Sequence, residues 1–190
     1  RLNWLKPVIG SLVIATGIVS APFAVPALPV DTFIRYQHFL RATPPQEEKK
    51  EMGLLPQYYA DMFGWEEMVA TVAQAYDTLT PAEQTKCALL ANNYGEAAAI
   101  DFFGRRYNLP KAISGHNNYW LWGPREATGE VVIRLGGSIE AMRESYKDVM
   151  QAGMFRNSYC MPFENNMPIY ICRGRYASLK EDWSEFKHFE

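Results

Sequence analysis

The sequence predicts an α/β protein, a three-layer α/β/α sandwich with a mostly parallel sheet, preceded by the remnant of a membrane helix. Three observations carry that expectation. Short apolar runs alternate with amphipathic segments through the last two thirds of the chain, the pattern of βαβ units whose strands are buried on both faces. Of the 190 residues, 48% are hydrophobic and 21% charged, which is globular usage and not that of a disordered chain. The run from Pro7 to Val30 holds no charge and is set apart from everything after it. The chain therefore divides into the end of a transmembrane helix with a Pro-rich exit (1–30), a connector (31–56) and a soluble α/β domain (57–190).

The N-terminal run, PVIGSLVIATGIVSAPFAVPALPV, is long enough at ~1.5 Å per helical residue to cross a ~30 Å hydrocarbon layer. Pro22, Pro26 and Pro29 break its last third and leave Val8 to Ala21 clean. A membrane helix that exits through a proline collar is the leading reading. A signal peptide, with small residues near Ala24, and an apolar arm buried in the soluble fold are the alternatives. Arg1 and Lys6 precede the run and Asp31 follows it, so the positive-inside bias places the remainder away from the cytoplasm. Arg1 in the first position points to a piece of a longer chain or a processed product.

DTFIRYQHFLR (31–41) forms a short helix with Phe33, Ile34, Phe39 and Leu40 apolar, and ATPPQEEKKEMG (42–53) reads as a solvated loop. Over 64–79, Trp65, Met68, Val69, Val72, Tyr76 and Leu79 mark one face of a 3.6-residue period. Thr80-Pro81 ends that helix, with a further turn over 82–86. CALLA (87–91) has the length of a buried strand. Asn92 or Asn93 caps a helix that carries Ala97, Ile100, Phe102 and Phe103. Strands follow at 111–114 and 130–135. Ser138 caps a helix from Ile139 to about Met150, with Met142, Tyr146 and Val149 inward. The segment 151–160 fits strand or loop equally. A late strand covers 167–173, and a last helix runs from Leu179 through Trp183 and Phe186 to the C-terminus.

Composition excludes several functions. A net charge of −2 offers no field for nucleic acid. Three cysteines build no disulfide framework: Cys87 belongs to the core, while Cys160 and Cys172 either pair or stay free with the compartment. The three histidines, His38, His116 and His188, come without HxxxH or CxxC spacing, so neither a metal site nor a cofactor is expected. A GxSxG elbow is missing, and Gly136-Gly137 lacks the surrounding residues of a nucleotide loop.

Polar and aromatic residues gather at NNYGE (92–96), SGHNNYWLWGP (114–124) and YCMPFENN (159–166). The first two follow the C-terminal ends of expected strands, where open α/β sheets bind ligands. Stacked rings beside carboxamides and an imidazole suit a sugar ring or another flat, polar ligand. The candidate binding residues are Asn93, Tyr94, Glu96, Ser114, His116, Asn117, Asn118, Tyr119, Trp120, Trp122, Glu164 and Asn165. A structural role competes at each: the tryptophans plug the sheet end, the asparagines close turns, and Glu96 answers the helix dipole. No catalytic residue is assigned.

LPQYYADMFGWEEMV (55–69), NYGEAAAIDFFG (93–104), ISGHNNYWLWGP (113–124) and MPFENNMPIYICR (161–173), in that order, resemble one family. It is the C-terminal soluble region of bacterial membrane glycosyltransferases similar to the dolichyl-phosphate-mannose protein mannosyltransferases and their aminoarabinose-transferase relatives. In such enzymes a multi-helix membrane portion passes a sugar from a polyprenyl-phosphate donor to an acceptor on the exported side. Their acidic catalytic residue lies in an early extracytoplasmic loop of that portion, so none is carried over to this chain. The resemblance implies a non-catalytic periplasmic domain at the bacterial inner membrane. Its partners would be the membrane portion of the same polypeptide and the polyprenyl-phosphate sugar or glycan acceptor. Two other readings stay open: a free-standing carbohydrate- or peptide-binding module, and a small hydrolase-like enzyme using His116 with Glu96 or Glu164.

Overall fold

The computed structural model describes residues 3–42 and 51–189, so Arg1 and most of the expected solvated loop lie outside the described residues. The chain falls into two compact units, Arg1–Ala60 and Asp61–Glu190.

The first unit is helical. Helix α1 (Leu5–Ala24) spans 20 residues, about 30 Å, and none of its residues is buried. It continues one turn past the expected stop, carrying Pro22 within it. Carbonyls of that last turn receive tyrosine hydroxyls: Tyr36 donates to Val19 (2.6 Å) and Tyr58 to Phe23 (2.8 Å), while Tyr59 donates to Pro22. The Pro22 and Phe23 carbonyls are among the groups a helix end leaves without intrahelical partners. Helix α2 (Val30–Phe39) starts directly after Pro29 and buries Phe33 and Gln37, leaving Phe39 exposed. Phe33 packs edge-on against Phe23 and against Tyr59 of α3 (Gln57–Ala60).

The second unit is α/β, built on a five-stranded mixed sheet in the order β2-β1-β3-β5-β4. Strand β1 (Cys87–Ala91) is buried along its whole length and pairs in parallel with β2 (Ala112–Ser114) and β3 (Val131–Leu135). Strand β5 (Met167–Arg175) runs antiparallel to β3, and β4 (Tyr146–Phe155) antiparallel to β5. Four strands therefore point one way and β5 alone is reversed.

Strand alternation sorts the core onto two faces. On one, Leu89, Ile133 and Ile171 pack with Met68, Val69 and Val72 of α4 (Trp65–Asp77) and with Ala97 and Ile100 of α6 (Tyr94–Phe103). On the other, Leu90, Val132, Tyr170 and Cys172 pack with Met142 of α8 (Ile139–Ser145), Leu179 and Trp183. All three cysteines are buried free thiols.

Two expected elements are corrected. The helix begun at Ser138 ends at Ser145, and Tyr146 opens β4 instead of continuing the helical face. Met142, Tyr146 and Val149 have helical spacing, but pairing with β5 sets the backbone, an instance of tertiary context overriding local pattern. The expected terminal helix shrinks to a single 3-10 turn, Trp183–Phe186.

Helix α5 (Pro81–Lys86) links the helical layer to the sheet. Thr80 and Glu83 form a capping box with Pro81 at the first helical position. The Glu83 carboxylate also accepts from Arg173 Nε on β5 (2.7 Å), and Arg173 reaches Asp148 on β4 (3.2 Å). The Arg173 bond, with the Thr80 bonds behind it, holds the Glu83 carboxyl down at about 2 from an ordinary 4.5. A carboxyl depressed on folding stabilises the fold above its unfolded value, and that stabilisation is lost as pH falls through the folded one. Stability should therefore decline between about pH 4.5 and pH 2. Thermal midpoints measured against pH should fall less steeply in that window for Glu83→Gln than for the parent chain.

Candidate functional site

The C-terminal end of β1 turns directly into α6. Asn93 caps the helix, its Oδ1 accepting the Glu96 N–H (2.9 Å). Glu96 reaches back, accepting the Asn92 N–H (2.7 Å) and the Asn93 carboxamide (3.3 Å). This carboxylate is buried, and burial raises its pKa while the Asn92 and Asn93 bonds and the nearby Arg134 charge oppose the rise. The turn leaves the Tyr94 N–H pointing at His116 Nδ1 (3.3 Å), so that nitrogen carries no hydrogen and the neutral ring is protonated on Nε2.

His116 follows β2, one strand away. Ser114 is fully buried, and its Oγ accepts the His116 N–H (3.2 Å). The His116 ring stacks on His188 with centroids 4.9 Å apart and planes 8° from parallel, and Tyr94 lies 5.1 Å from it on another side. His188 belongs to the C-terminal segment, which docks as a short parallel bridge beside His116. The His188 N–H donates to Gly115 and its carbonyl accepts from Asn117, both at 3.1 Å. Its ring nitrogens lie 2.8 Å from the carbonyl oxygens of Asn92 and Phe186. The close approach needs glycine at 115, where a Cβ would lie 1.8 Å from the Phe186 carbonyl oxygen.

The aromatic loop divides into ordered plugs and an open rim. Asn117 takes a left-handed conformation (φ 52°, ψ −133°) that starts α7 (Asn118–Leu121). Tyr119 is buried, and its hydroxyl donates to Asp101 (3.3 Å). Trp120 and Trp183 exchange hydrogen bonds, each indole N–H donating to the other residue's carbonyl at 3.0 and 2.9 Å. Lys187 lies 4.3 Å over the Trp120 ring. Asn118 and Trp122 are exposed, and the Trp122 ring meets Tyr119 edge-on.

The third cluster joins the first from below. Glu164 and Glu96 line one cavity of about 10 Å³ together with Trp65, Phe155 and Met167. That is room for one water, and a substrate group held between the two carboxylates does not fit there. Asn165 closes its own loop, its Oδ1 accepting the N–H groups of Asn157 (3.1 Å) and Asn166 (2.8 Å).

The structure thus brings Asn93, Tyr94, Glu96, Ser114 and His116 to one sheet end and sets Glu164 on a cavity shared with Glu96. It gives Asn93, Glu96, Ser114, Trp120 and Asn165 structural work and leaves Tyr94, Asn118 and Trp122 facing solvent. His188 was not among the sequence candidates, because its site forms only when the terminal segment folds back across 96 positions to Asn92. Arg134 was also missed, although a lone arginine inside the apolar strand VVIRL was a visible signal. No family model matches the chain, and no curated protein or solved structure matches it.

Trp120→Ala should cost about 3 kcal/mol in chemical denaturation and Trp122→Ala about 0.5 kcal/mol or less, separating plug from rim. Gly115→Ala should displace the terminal segment at a cost of about 1–3 kcal/mol. Faster amide exchange at Asn117 and His188 would report that displacement.

Proposed function

We propose that this chain is a membrane-anchored, extracytoplasmic α/β domain that assists a polyprenyl-phosphate-sugar-dependent glycosyltransferase of the bacterial inner membrane without carrying its catalytic residues. One observation carries the anchoring. Helix α1 is apolar around its whole circumference, long enough to cross a bilayer, and buries none of its residues. A helix hydrophobic all round belongs inside a large core or inside lipid, and a core would have buried it. Asp61–Glu190 is then a three-layer sandwich, with α4 and α6 on one face and α8 with the C-terminal segment on the other.

The sugar-transfer part is supported by the resemblance, which spans nearly the whole chain, including the Pro-rich exit at Ala21 to Val30, and has GHNNYWLWGP (115–124) as its specific part. The role of the domain is to meet donor or acceptor at the rim formed by Tyr94, Asn118 and Trp122, where exposed rings and a carboxamide offer stacking and hydrogen bonds to a glycan. Non-catalytic assistance fits the commitments of the buried polar groups: Glu96 is spent on capping, and His116 Nδ1 on a backbone N–H. A free-standing glycan-binding module is the second reading, favoured by the same exposed rings.

Cell fractionation and a transfer assay test this together. The chain should stay in the membrane fraction through carbonate washing and leave it with detergent. A periplasm-dependent reporter fused after residue 190 should be active. Purified alone, the chain should turn over no polyprenyl-phosphate sugar, while deletion of 61–190 from the complete polypeptide should reduce sugar transfer at least tenfold. Turnover by the chain alone overturns the non-catalytic assignment, and a soluble chain overturns the anchor.

A further inference from the structure

A cavity of about 260 Å³ opens on the α8 face of the sheet, away from the histidine stack. Arg134 on β3, Tyr146 on β4, Arg175 on β5 and Glu185 line it, with Met142 and Phe186 as apolar walls. Arg134 sits in the middle of the sheet, opposite Leu90 on β1 and Tyr170 on β5. Among the described residues its guanidinium has no ion-pair partner, and its hydrogen bond goes to the Leu90 carbonyl at a long 3.5 Å. Burial presses its pKa down. Arginine nevertheless keeps its proton, so the positive charge stays in place, with the nearby Glu96 carboxylate acting on it.

Arg175 adds a second guanidinium. The left-handed Gly174 (φ +63°) interrupts the alternation of β5 just before it. The Arg175 side chain is 8% exposed and lies over the Tyr146 and Phe186 rings. One terminal nitrogen donates to Asp182 (2.6 Å), while the buried Nε has no partner. The Tyr146 hydroxyl lies in the field of both guanidinium groups. Two arginines, one whose charge is met by the nearby Glu96 carboxylate and one with a buried donor unspent, line space that a ligand would fill. Buried charges and donors are otherwise paired.

We propose that this cavity binds a phosphate ester of a small hydroxylated molecule, with Arg134 and Arg175 on the phosphate and Glu185 on the hydroxyls. Guanidinium forks match phosphate oxygens, and Glu185, the one carboxylate among the described residues lining the cavity, repels a second anionic group while accepting from hydroxyls. The volume lies below the ~300 Å³ where pockets for drug-sized ligands begin, which favours a guest the size of a monosaccharide phosphate over a nucleotide. The site stands on its own geometry and not on the membrane reading.

Isothermal titration of the full chain in detergent micelles at fixed ionic strength tests it, with hexose 1-phosphate, inorganic phosphate and acetate as probes. Hexose 1-phosphate should bind saturably and more tightly than inorganic phosphate, and acetate should not bind. Arg134→Met should abolish binding and lower the melting midpoint, because the variant removes a charge that acts on the buried Glu96 carboxylate. Should that variant fail to fold, Arg134→Lys keeps the charge, loses the fork and should weaken binding about tenfold. Absence of saturable hexose 1-phosphate binding, or wild-type affinity in either Arg134 variant, overturns the site. Acetate or inorganic phosphate binding as tightly as the ester overturns the ligand class.

Discussion

A buried carboxylate bonded to the backbone of the turn before it holds the C-terminal end of the sheet in order. Glu96 accepts from the Asn92 N–H and the Asn93 carboxamide while Asn93 caps α6. The Asn92 carbonyl is then presented to His188, and the Tyr94 N–H to His116. His116 in turn forms the platform on which the terminal segment stacks and bridges. Three distant stretches of chain meet at this turn. Losing the carboxylate would strip a buried N–H of its acceptor, a loss of about 1–3 kcal/mol, and would loosen each contact downstream.

Most regular elements were legible because local and tertiary signals agree there. CALLA has only apolar side chains and lies between two neighbours, so its strand needs no further information. Asn93 three residues before Glu96 announces its helix through capping chemistry that is local by nature, whereas Thr80-Pro81 reads as a stop although Thr80 also caps α5. Tyr146 to Phe155 was not legible as a single strand, because an edge strand buries little and its exposed Lys147 and Asp148 read as a helix surface. The reversed direction of β5 was equally hidden, since Ile169, Tyr170 and Ile171 are buried in either orientation.

The site was legible in composition but not in role. The residues flagged around His116 do lie near one sheet end, yet which side chains turn outward depended on partners remote in sequence. Trp120 and Trp122 are two positions apart and chemically identical. Trp183 decides between them, taking the first into a reciprocal pair and leaving the second exposed against Tyr119.

Strand order explains why recognition is displaced from the place where such sheets usually bind ligands. The chain leaves β1 through α6 on one face toward β2, and leaves β3 through α8 on the other face toward β4, so the switch point lies between the ends of β1 and β3. Here that crevice is filled. The Asn92 carboxamide lies where a Cβ on Gly136 would come within 2.3 Å of it, and the Asn92 carbonyl is taken by His188. A ligand approaching along the strand axes meets protein already bonded to itself. The open surfaces lie elsewhere, at the exposed Tyr94 and Trp122 rings and in the cavity under α8, which Arg134 lines near the C-terminal end of β3. The terminal segment that closes the crevice also supplies Glu185 and Phe186 to the cavity wall, so one stretch of chain shuts the first site and shapes the second.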